Sequence, residues 1–216
     1  MNFDAYVFDL DGTLLNTLPD LVRLTNMVLA KWGFPERTTE EINSFVGGGG
    51  RLLLRRAAPA DASDEQIDAL FSYWQELYPE YGHQMTKPYQ GIPEVLDELR
   101  GRGAKLAVLS NKYDVATRSV IARHFPNTFD IVRGECAEIP RKPDPAGLLW
   151  EIAALDVAPQ RVCFVGDSGI DMETAVAASA YPVGVTWGYR PLSDLLAHGA
   201  RAIANAPADL LDLQVK

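Results

Sequence analysis

Short apolar runs alternate with longer segments of helical periodicity along most of the 216-residue chain. Several of these runs are apolar at consecutive positions, which is typical of strands buried on both faces, as in a parallel sheet covered by helices. From residue 90 onward, this alternation favours a doubly wound α/β core. The predicted strands comprise residues 5–10, 105–110, 129–133, 162–166 and 182–187. The predicted helices of this part comprise residues 92–102, 113–124, 146–155, 171–178 and 192–197.

The interval between the first two predicted strands breaks the alternation, because it is far longer than one crossover helix requires. Apolar residues at helical spacing predict a helix over residues 18–32. Two candidate capping boxes, Thr38 with Glu41 and Ser63 with Gln66, predict the starts of further helices. We therefore expect a Rossmann-like parallel-sheet core with a small helical cap, or lid, domain inserted into it. The expected boundaries are residues 1–15 and 89–216 for the core and residues 16–88 for the cap.

Composition and charge limit the classes of protein to which the chain could belong. Hydrophobic residues make up 47% of the chain and charged residues 23%, which is ordinary for a globular protein. The formal net charge of -9 argues against nucleic acid and anionic membranes as partners, since both attract basic surfaces. No apolar run is long enough to suggest a membrane-spanning helix, and two cysteines do not suggest a disulfide framework. We expect a cytoplasmic protein that is a monomer or a homodimer.

Two carboxylates lie at the end of the first predicted strand. Asp9 and Asp11 are two residues apart, so an extended chain places both on one side. Because unpaired charge beside a buried strand is costly, we expect a cation to hold them, and Mg²⁺ prefers oxygen ligands of this kind. An ordinary strand end followed by an Asp-Gly turn would show the same residues.

A second pair of acids follows the predicted strand at residues 162–166. Asp167 comes directly after this strand and can reach a metal ion at its end. Asp171 falls in the first turn of the next helix, where the helix dipole by itself favours a negative charge. Asp167 is therefore the stronger candidate for a metal ligand.

Three further residues could bind an anion. Ser110 and Asn111 end the second predicted strand, just before the free N–H groups of a helix start, although ordinary capping would use the same residues. Lys142 lies among prolines that restrict its backbone, although a solvated loop lysine would fit as well. All of these candidates lie at the carboxyl ends of strands or close after one, where open α/β sheets bind ligands.

Taken in order, these residues resemble the four motifs of the haloacid dehalogenase superfamily of phosphohydrolases. The match comprises Asp9-x-Asp11-Gly12-Thr13, Ser110-Asn111, Lys142-Pro143 and Gly166-Asp167-Ser168-x-x-Asp171. Within that superfamily the chain is similar to the phosphoglycolate phosphatase group, and a cap inserted after the first motif fits this resemblance. The tripeptide Ser179-Ala180-Tyr181 departs from the Ala-Gly pair usual in the group, which affects packing rather than chemistry.

The resemblance implies a Mg²⁺-dependent phosphatase that hydrolyses a small phosphorylated metabolite, with phosphoglycolate as the leading candidate. It implies that Asp9 attacks phosphorus and forms an aspartyl-phosphate, while Asp11 protonates the leaving oxygen and then activates water. The resemblance also implies that Asp9, the Asp11 carbonyl and Asp167 bind Mg²⁺. Asp171 would support the metal site or Lys142. The residues implied to bind the phosphoryl group are Thr13, Ser110, Asn111 and Lys142.

Two questions stay open at this stage. The first is the reaction, because a pyrophosphatase, a nucleotide phosphatase or a sugar phosphomutase could use the same motifs. Thr13 favours a phosphatase over a mutase. A non-catalytic binding protein is the remaining alternative. Arg51 follows the glycine run at residues 47–50 and could bind a substrate carboxylate, whereas a solvated helix face would explain it equally well.

Overall fold

The structure, a computed structural model, describes residues 3–214 and divides into two compact units. Among these residues, one unit comprises 3–15 and 88–214, and the other comprises Asn16–Lys87. The strands are β1 (Ala5–Phe8), β2 (Leu15–Asn16), β3 (Lys87–Pro88), β4 (Lys105–Tyr113), β5 (Ile131–Glu135), β6 (Val162–Gly166), β7 (Tyr181–Val185) and β8 (Ala202–Ala204). The helices are α1 (Leu18–Lys31), α2 (Thr39–Phe45), α3 (Gly50–Ala57), α4 (Asp64–Tyr81), α5 (Ile92–Gly101), α6 (Asp114–His124), α7 (Ala146–Ala154), α8 (Gly169–Ala177) and α9 (Leu192–Ala197), with 3-10 segments at Pro159–Arg161 and Pro207–Asp212.

Within the described residues, six strands form one parallel sheet in the order β5-β4-β1-β6-β7-β8. The strand β1 lies at the centre, where Phe8 is paired with Val108 of β4 on one side and with Val165 of β6 on the other. The chain order runs outward in opposite directions on either side of β1. Such a switch point opens a crevice at the carboxyl ends of the central strands.

The central strand shows why the sheet is buried on both faces. Tyr6 and Phe8 belong to one apolar cluster, while Ala5 and Val7 belong to another, because successive side chains of a strand point to opposite faces. Helices α5 and α6 contribute to the first cluster, and helices α7 and α8 contribute to the second. A charged side chain that follows such a strand therefore leaves the core at a defined edge of the sheet.

Both predicted capping boxes are present in the helical unit Asn16–Lys87. The Thr38 hydroxyl accepts a hydrogen bond from the N–H of Glu41, and the Glu41 carboxylate accepts one from the N–H of Thr38. Ser63 and Gln66 make the same reciprocal pair at the start of α4. These local contacts satisfy N–H groups that a helix start would otherwise leave without partners.

A buried carboxylate ties together the two ends of the helical unit. Asp20, in the first turn of α1, accepts hydrogen bonds from the N–H of Met85 at 2.9 Å and from the N–H of Thr86 at 2.6 Å. The Thr86 hydroxyl donates a further bond to the same carboxylate at 2.7 Å. These donors compensate the buried negative charge, so Asp20 has a structural role within this unit.

The predicted fold class, a doubly wound parallel-sheet core with an inserted helical unit, is confirmed. Differences from the prediction concern element boundaries: β4 extends to Tyr113, and β5 spans Ile131–Glu135 instead of residues 129–133. Sequence analysis missed β2, β3 and β8, because strands of two or three residues carry too little periodicity to be recognised. In the described part of the chain, no helix combines the length and the apolar character needed to cross a bilayer.

Candidate active site

The carboxyl ends of three neighbouring strands carry most of the predicted site residues. Asp9 directly follows β1, Ser110 and Asn111 lie in the last part of β4, and Asp167 directly follows β6. Because β1 lies between β4 and β6, the topology gathers these four residues at one edge of the sheet. All four are buried.

A lysine lies between two of the acids. The Lys142 Nζ donates to Asp9 Oδ1 at 2.7 Å and to Asp171 Oδ1 at 2.7 Å. The side chains of Lys142, Asp9 and Asp171 are 3%, 12% and 1% exposed. Charges at this depth are tolerated only when they are paired, so Lys142 is a fixed part of the cluster and not a solvated loop residue.

Asn111 holds the backbone that carries this lysine. Its side-chain amide donates to the Lys142 carbonyl oxygen at 3.0 Å, and its Oδ1 accepts from the Lys142 N–H at 2.9 Å. This two-way contact joins the end of β4 to the loop after β5. In this structure, Asn111 therefore acts on the site through the position of Lys142.

Asp171 is held by its own helix as well as by the lysine. It lies in the first turn of α8, as predicted, and its Oδ2 accepts from the Ser168 N–H at 3.1 Å and from the Ser168 hydroxyl at 2.6 Å. Since Oδ1 contacts Lys142, both carboxylate oxygens have partners. This arrangement fits a supporting role, in which Asp171 orients Lys142.

Glycines bring the backbone close to Asp167. Its Oδ2 accepts from the Tyr189 N–H at 2.6 Å, and its Oδ1 lies 3.4 Å from the Thr13 hydroxyl. A Cβ at Gly12 would lie 2.3 Å from Asp167 Oδ2, and a Cβ at Gly188 would lie 2.2 Å from Asp167 Cβ. Gly12 also has a φ of +89°, a left-handed conformation that glycine adopts without strain. Side chains at these two positions would displace the carboxylate.

Trp187 anchors the turn that follows Asp11. Its indole N–H donates to the Thr13 carbonyl oxygen at 3.0 Å, and its ring packs against the larger apolar cluster of the core. The chain then continues into Gly188 and Tyr189, which contact Asp167. Residues 187–189 therefore connect the turn after β1 with the acid that follows β6.

Burial shifts the pKa values of Asp9 and Asp167 upward, which favours their neutral forms. It raises the pKa of Asp9 to about 7, an effect that Lys142 opposes and that the charges of Asp171 and Asp11 reinforce. Burial also raises the pKa of Asp167 well above its usual range, and Asp171 and Asp9 add to this shift. Burial alone would lower the pKa of Lys142, but Asp171 and Asp9 together raise it above its usual range. The cluster is therefore short of positive charge.

The donor set fits a hard divalent cation. Carboxylate oxygens of Asp9, Asp167 and Asp171 all lie within 4.8 Å of one another, and all three residues are buried. Lys142 contacts Asp9 and Asp171, and its single positive charge does not balance three carboxylates, so a divalent ion would supply the missing charge. The side chain of Asp11 is not part of this group among the described residues, and the contribution predicted for Asp11 is its carbonyl oxygen.

Lys112 is a buried residue of this region that sequence analysis missed. Its Nζ donates to Asp11 Oδ1 at 3.1 Å and to Asp11 Oδ2 at 3.2 Å, and its side chain is 3% exposed. A lysine just before a predicted helix resembles an ordinary surface residue. The one signal in the sequence is its position directly after the Ser110-Asn111 pair.

Arg51 makes its observed ion pairs within the helical unit. Its Nε donates to Asp68 Oδ1 at 2.6 Å, and its Nη2 lies 3.5 Å from Asp64 Oδ1. The Arg51 side chain is 37% exposed. Its predicted contact with a substrate stays a prediction.

Comparison with known proteins places the chain in a family. It matches the model of the haloacid dehalogenase-like hydrolases over residues 6–185. It is 32% identical over 212 residues to the phosphoglycolate phosphatase of Pseudomonas putida, covering 95% of this chain and 75% of the relative. It is 30% identical over 215 residues to the N-acetylmuramic acid 6-phosphate phosphatase of Pseudomonas aeruginosa, covering 99% of this chain and 95% of the relative. A solved structure from Haemophilus somnus, described as a predicted phosphoglycolate phosphatase, aligns with a TM-score of 0.91 at 26% identity over 98% of each chain.

A parallel sheet whose central strand leads into a buried, lysine-paired carboxylate defines a protein of the doubly wound α/β class. Since the family model covers most of its length, the chain belongs to the haloacid dehalogenase-like hydrolase family. The superfamily and the enzyme class predicted from the sequence, a phosphoric monoester hydrolase, are confirmed.

Proposed function

We propose that this enzyme is a Mg²⁺-dependent phosphatase that cleaves a small phosphomonoester through an aspartyl-phosphate on Asp9. Phosphoglycolate is the leading substrate candidate, because relatives with 32% and 34% identity carry the name phosphoglycolate phosphatase. A phosphorylated amino sugar is the second candidate, because the relative from Pseudomonas aeruginosa, which matches 99% of the chain, is an N-acetylmuramic acid 6-phosphate phosphatase.

The contact between Lys142 and Asp9 carries the proposal. A carboxylate must be ionised to attack phosphorus, and burial by itself opposes ionisation of Asp9. The Lys142 ammonium, 2.7 Å from Asp9 Oδ1, opposes that effect and fixes the direction of the carboxylate. The same ammonium lies where a phosphoryl group transferred to Asp9 would need positive charge.

The proposed reaction has two displacement steps. In the first, a carboxylate oxygen of Asp9 bonds to phosphorus while the bond from phosphorus to the leaving oxygen breaks, and Asp11 donates a proton to that oxygen. In the second, Asp11 takes a proton from water, the water oxygen bonds to phosphorus, and the bond to Asp9 breaks. Inorganic phosphate leaves, and both aspartates return to their initial forms.

Further residues are proposed to hold the phosphoryl group during these steps. Mg²⁺ bound by Asp9, the Asp11 carbonyl and Asp167 would offset phosphoryl charge. The Ser110 hydroxyl and the Lys142 ammonium are proposed to donate to phosphoryl oxygens. The proposed substrate-binding set also includes Thr13 and Asn111, of which Asn111 already fixes the backbone of Lys142.

The helical unit is proposed to act as a lid. Its ends lead into β2 and β3, which are two residues each, and short connections of this kind suit a hinge closure that excludes water. Arg51 is the predicted lid contact for a substrate carboxylate. The cytoplasmic location, the monomeric or homodimeric state and the lack of nucleic acid or membrane partners also stay predictions.

A phosphate-release assay tests the proposed function. The purified protein is incubated with Mg²⁺ and p-nitrophenyl phosphate, phosphoglycolate, N-acetylmuramic acid 6-phosphate, pyrophosphate or a nucleoside monophosphate. We expect the highest kcat/KM on phosphoglycolate. A preference for pyrophosphate or a nucleotide would favour those alternatives, and no phosphate release from any compound would exclude a phosphatase.

Asp9→Asn is the matched variant for this assay. An amide has nearly the shape of a carboxylate but is a poor nucleophile, so we expect a folded protein with activity lower by at least about 1,000-fold. Circular dichroism checks the fold. Turnover near the rate of the unmodified enzyme would exclude Asp9 as the nucleophile.

A further inference from the structure

We propose that Lys112 selects substrates with an anionic leaving group, such as the carboxylate of a phosphorylated hydroxy acid. This inference rests on the proposed function and extends it to the choice of leaving group. A residue of the α/β core would then select the leaving group together with the proposed lid.

The burial of Lys112 sets it apart from a surface lysine. Its side chain is 3% exposed, and its Nζ lies 3.1 Å and 3.2 Å from the two carboxylate oxygens of Asp11. Removing an ammonium from water is costly unless an anion compensates it. A lysine retained at this depth, against a residue with a proposed chemical role, therefore has a stronger effect on bound anions than an exposed one.

Contacts on several sides hold the backbone of Lys112. Its N–H donates to the Ser110 hydroxyl oxygen at 3.2 Å, and its carbonyl oxygen accepts from the Thr117 hydroxyl at 3.0 Å. Gly134 packs so closely that a Cβ there would lie 2.4 Å from the Lys112 carbonyl oxygen. The ammonium is therefore presented from a fixed strand end, and little ordering is required when a ligand binds.

The proposed role of Asp11 places Lys112 beside the leaving group. An acid that protonates an ester oxygen must lie within hydrogen-bond distance of it, about 3 Å. Since Lys112 Nζ is 3.1 Å from Asp11 Oδ1, a carboxylate one carbon beyond the ester oxygen comes within reach of the same ammonium. An uncharged group at that position would gain much less from this contact.

One ammonium can contact two carboxyl groups, because it has three N–H donors. Lys142 already does so in this site, between Asp9 and Asp171. In the first step, when Asp11 carries its proton, we expect Lys112 to contact the substrate carboxylate and the unprotonated oxygen of Asp11. The carboxylate would then lie next to the proton donor of the proposed first step.

Two esters that differ in one charge provide the test. Phosphoglycolate is compared with 2-phosphoglycolamide, whose leaving group has nearly the same size but no charge. Lys112→Met removes the charge and keeps most of the side-chain length, while Lys112→Arg retains the charge. Lys31→Met, at the exposed end of α1, is the control. A general loss of activity through Asp11 should lower kcat/KM equally on both esters, because both need the same proton transfer. The ratio of kcat/KM between the two esters therefore reports the preference for the charged leaving group.

In Lys112→Met, we expect the preference for phosphoglycolate over its amide to fall about 10- to 100-fold, the scale of one charge-assisted hydrogen bond. Lys112→Arg should retain part of the preference, and Lys31→Met should retain all of it. If Lys112→Met does not fold, as judged by thermal melting, Lys112→Gln takes its place.

Equal losses on both esters, or no loss on either, would overturn the proposal, as would an unmodified enzyme with no preference for the charged ester. Hydrolysis of p-nitrophenyl phosphate by the unmodified enzyme separates two failures. If the unmodified enzyme releases phosphate neither from this compound nor from any other compound of the phosphate-release assay, the proposed function itself is wrong. With phosphate release, and with an unchanged ratio in Lys112→Met, only the role of Lys112 is wrong.

Discussion

Each of two clusters in this protein contains a cation in contact with two aspartates, but the clusters differ in their exposure to solvent. In the α/β core, Lys142 lies between Asp9 and Asp171, and all three side chains are almost fully buried. In the helical unit, Arg51 of α3 lies between two aspartates of α4, and those side chains are largely exposed. The shortest contacts have similar lengths, 2.7 Å for Lys142 and 2.6 Å for Arg51, so the shortest distance alone does not separate the two clusters.

This difference indicates that exposure to solvent, more than the distances between the charges, determines the role of such a cluster. Water and salt screen an exposed ion pair, which then contributes little to stability. In the buried cluster the charges of Lys142 and Asp171 act on the pKa of Asp9, and removal of one member leaves the others uncompensated. The Arg51 cluster therefore fits a surface contact between helices, while the Lys142 cluster fits a reactive site.

The largest effect is expected when the core cation is removed. Lys142→Met leaves Asp9 and Asp171 buried without the ammonium between them. We expect the free energy of unfolding to fall by about 3–5 kcal/mol in metal-free neutral buffer, together with loss of phosphatase activity. Urea denaturation measures the first effect. A loss no larger than that of Arg51→Met would remove the distinction between the two clusters.

A smaller effect is expected from Glu151 of α7, a buried acid that lacks such a cation contact. Neither of its carboxylate oxygens has a hydrogen-bond partner among the described residues. Burial raises the pKa of Glu151 from 4.5 to about 8, opposed by the charges of Arg133 and Lys142. Between pH 4.5 and about pH 8, the Glu151 carboxyl keeps its proton in the folded protein, whereas it has released it in the unfolded chain. The contribution of Glu151 therefore makes the protein less stable as pH rises through this window.

Glu151→Gln removes that proton and should remove this part of the pH dependence. We expect the free energy of unfolding of the variant, relative to the unmodified protein, to rise by on the order of 3 kcal/mol from pH 5 to pH 8. Urea denaturation at the two pH values tests this. A difference between the proteins that stays constant with pH would contradict the assignment of Glu151 as a buried neutral acid.

Metal binding should stabilise the core cluster by a similar or slightly smaller amount. With Mg²⁺ at 100 times its Kd, the gain in the free energy of unfolding is about 2.7 kcal/mol. Thermal melting with and without chelator measures it. Asp167→Asn should abolish most of the gain, whereas Asp68→Asn, in the exposed cluster, should leave it unchanged. Equal responses in the two variants would argue against the proposed metal site.

The smallest effect is expected from the exposed cation. Arg51→Met should shift the melting midpoint by no more than about 2 °C, because exposed pairs contribute little. If Arg51 also contacts the substrate, Arg51→Ala should lower kcat/KM on phosphoglycolate more than on p-nitrophenyl phosphate. Equal changes on both esters would leave Arg51 with its helix contacts alone.

Sequence patterns were sufficient to predict the location of candidate residues that directly follow a strand. Asp9 and Asp167 each follow an apolar run directly, so the end of the strand is visible in the sequence. The parallel topology, inferred from the same runs, then places the two ends at one edge of the sheet. The capping boxes at Thr38 and Ser63 were predictable for a related reason, since their partners lie three residues away.

Sequence patterns were insufficient where a contact joins distant residues. The Lys112–Asp11 pair spans 101 positions, and the Arg51–Asp68 pair spans 17. No local periodicity records which acid a lysine or arginine meets, or whether the pair is buried. Those properties depend on strand order and on packing, and they decide whether a charge is a surface feature or part of a site.

The indole of Trp187 gives this enzyme a built-in optical reporter. Its N–H bonds to the Thr13 carbonyl in the turn after Asp11, and its chain neighbours contact Asp167. Indole emission responds to hydrogen bonding and to nearby charge, so occupation of this cluster by a cation or a phosphate should change the fluorescence. Subtracting the signal of Trp187→Phe would isolate that change from the other tryptophans. Rapid mixing could then time the filling of the site by compounds that are never hydrolysed, without any label.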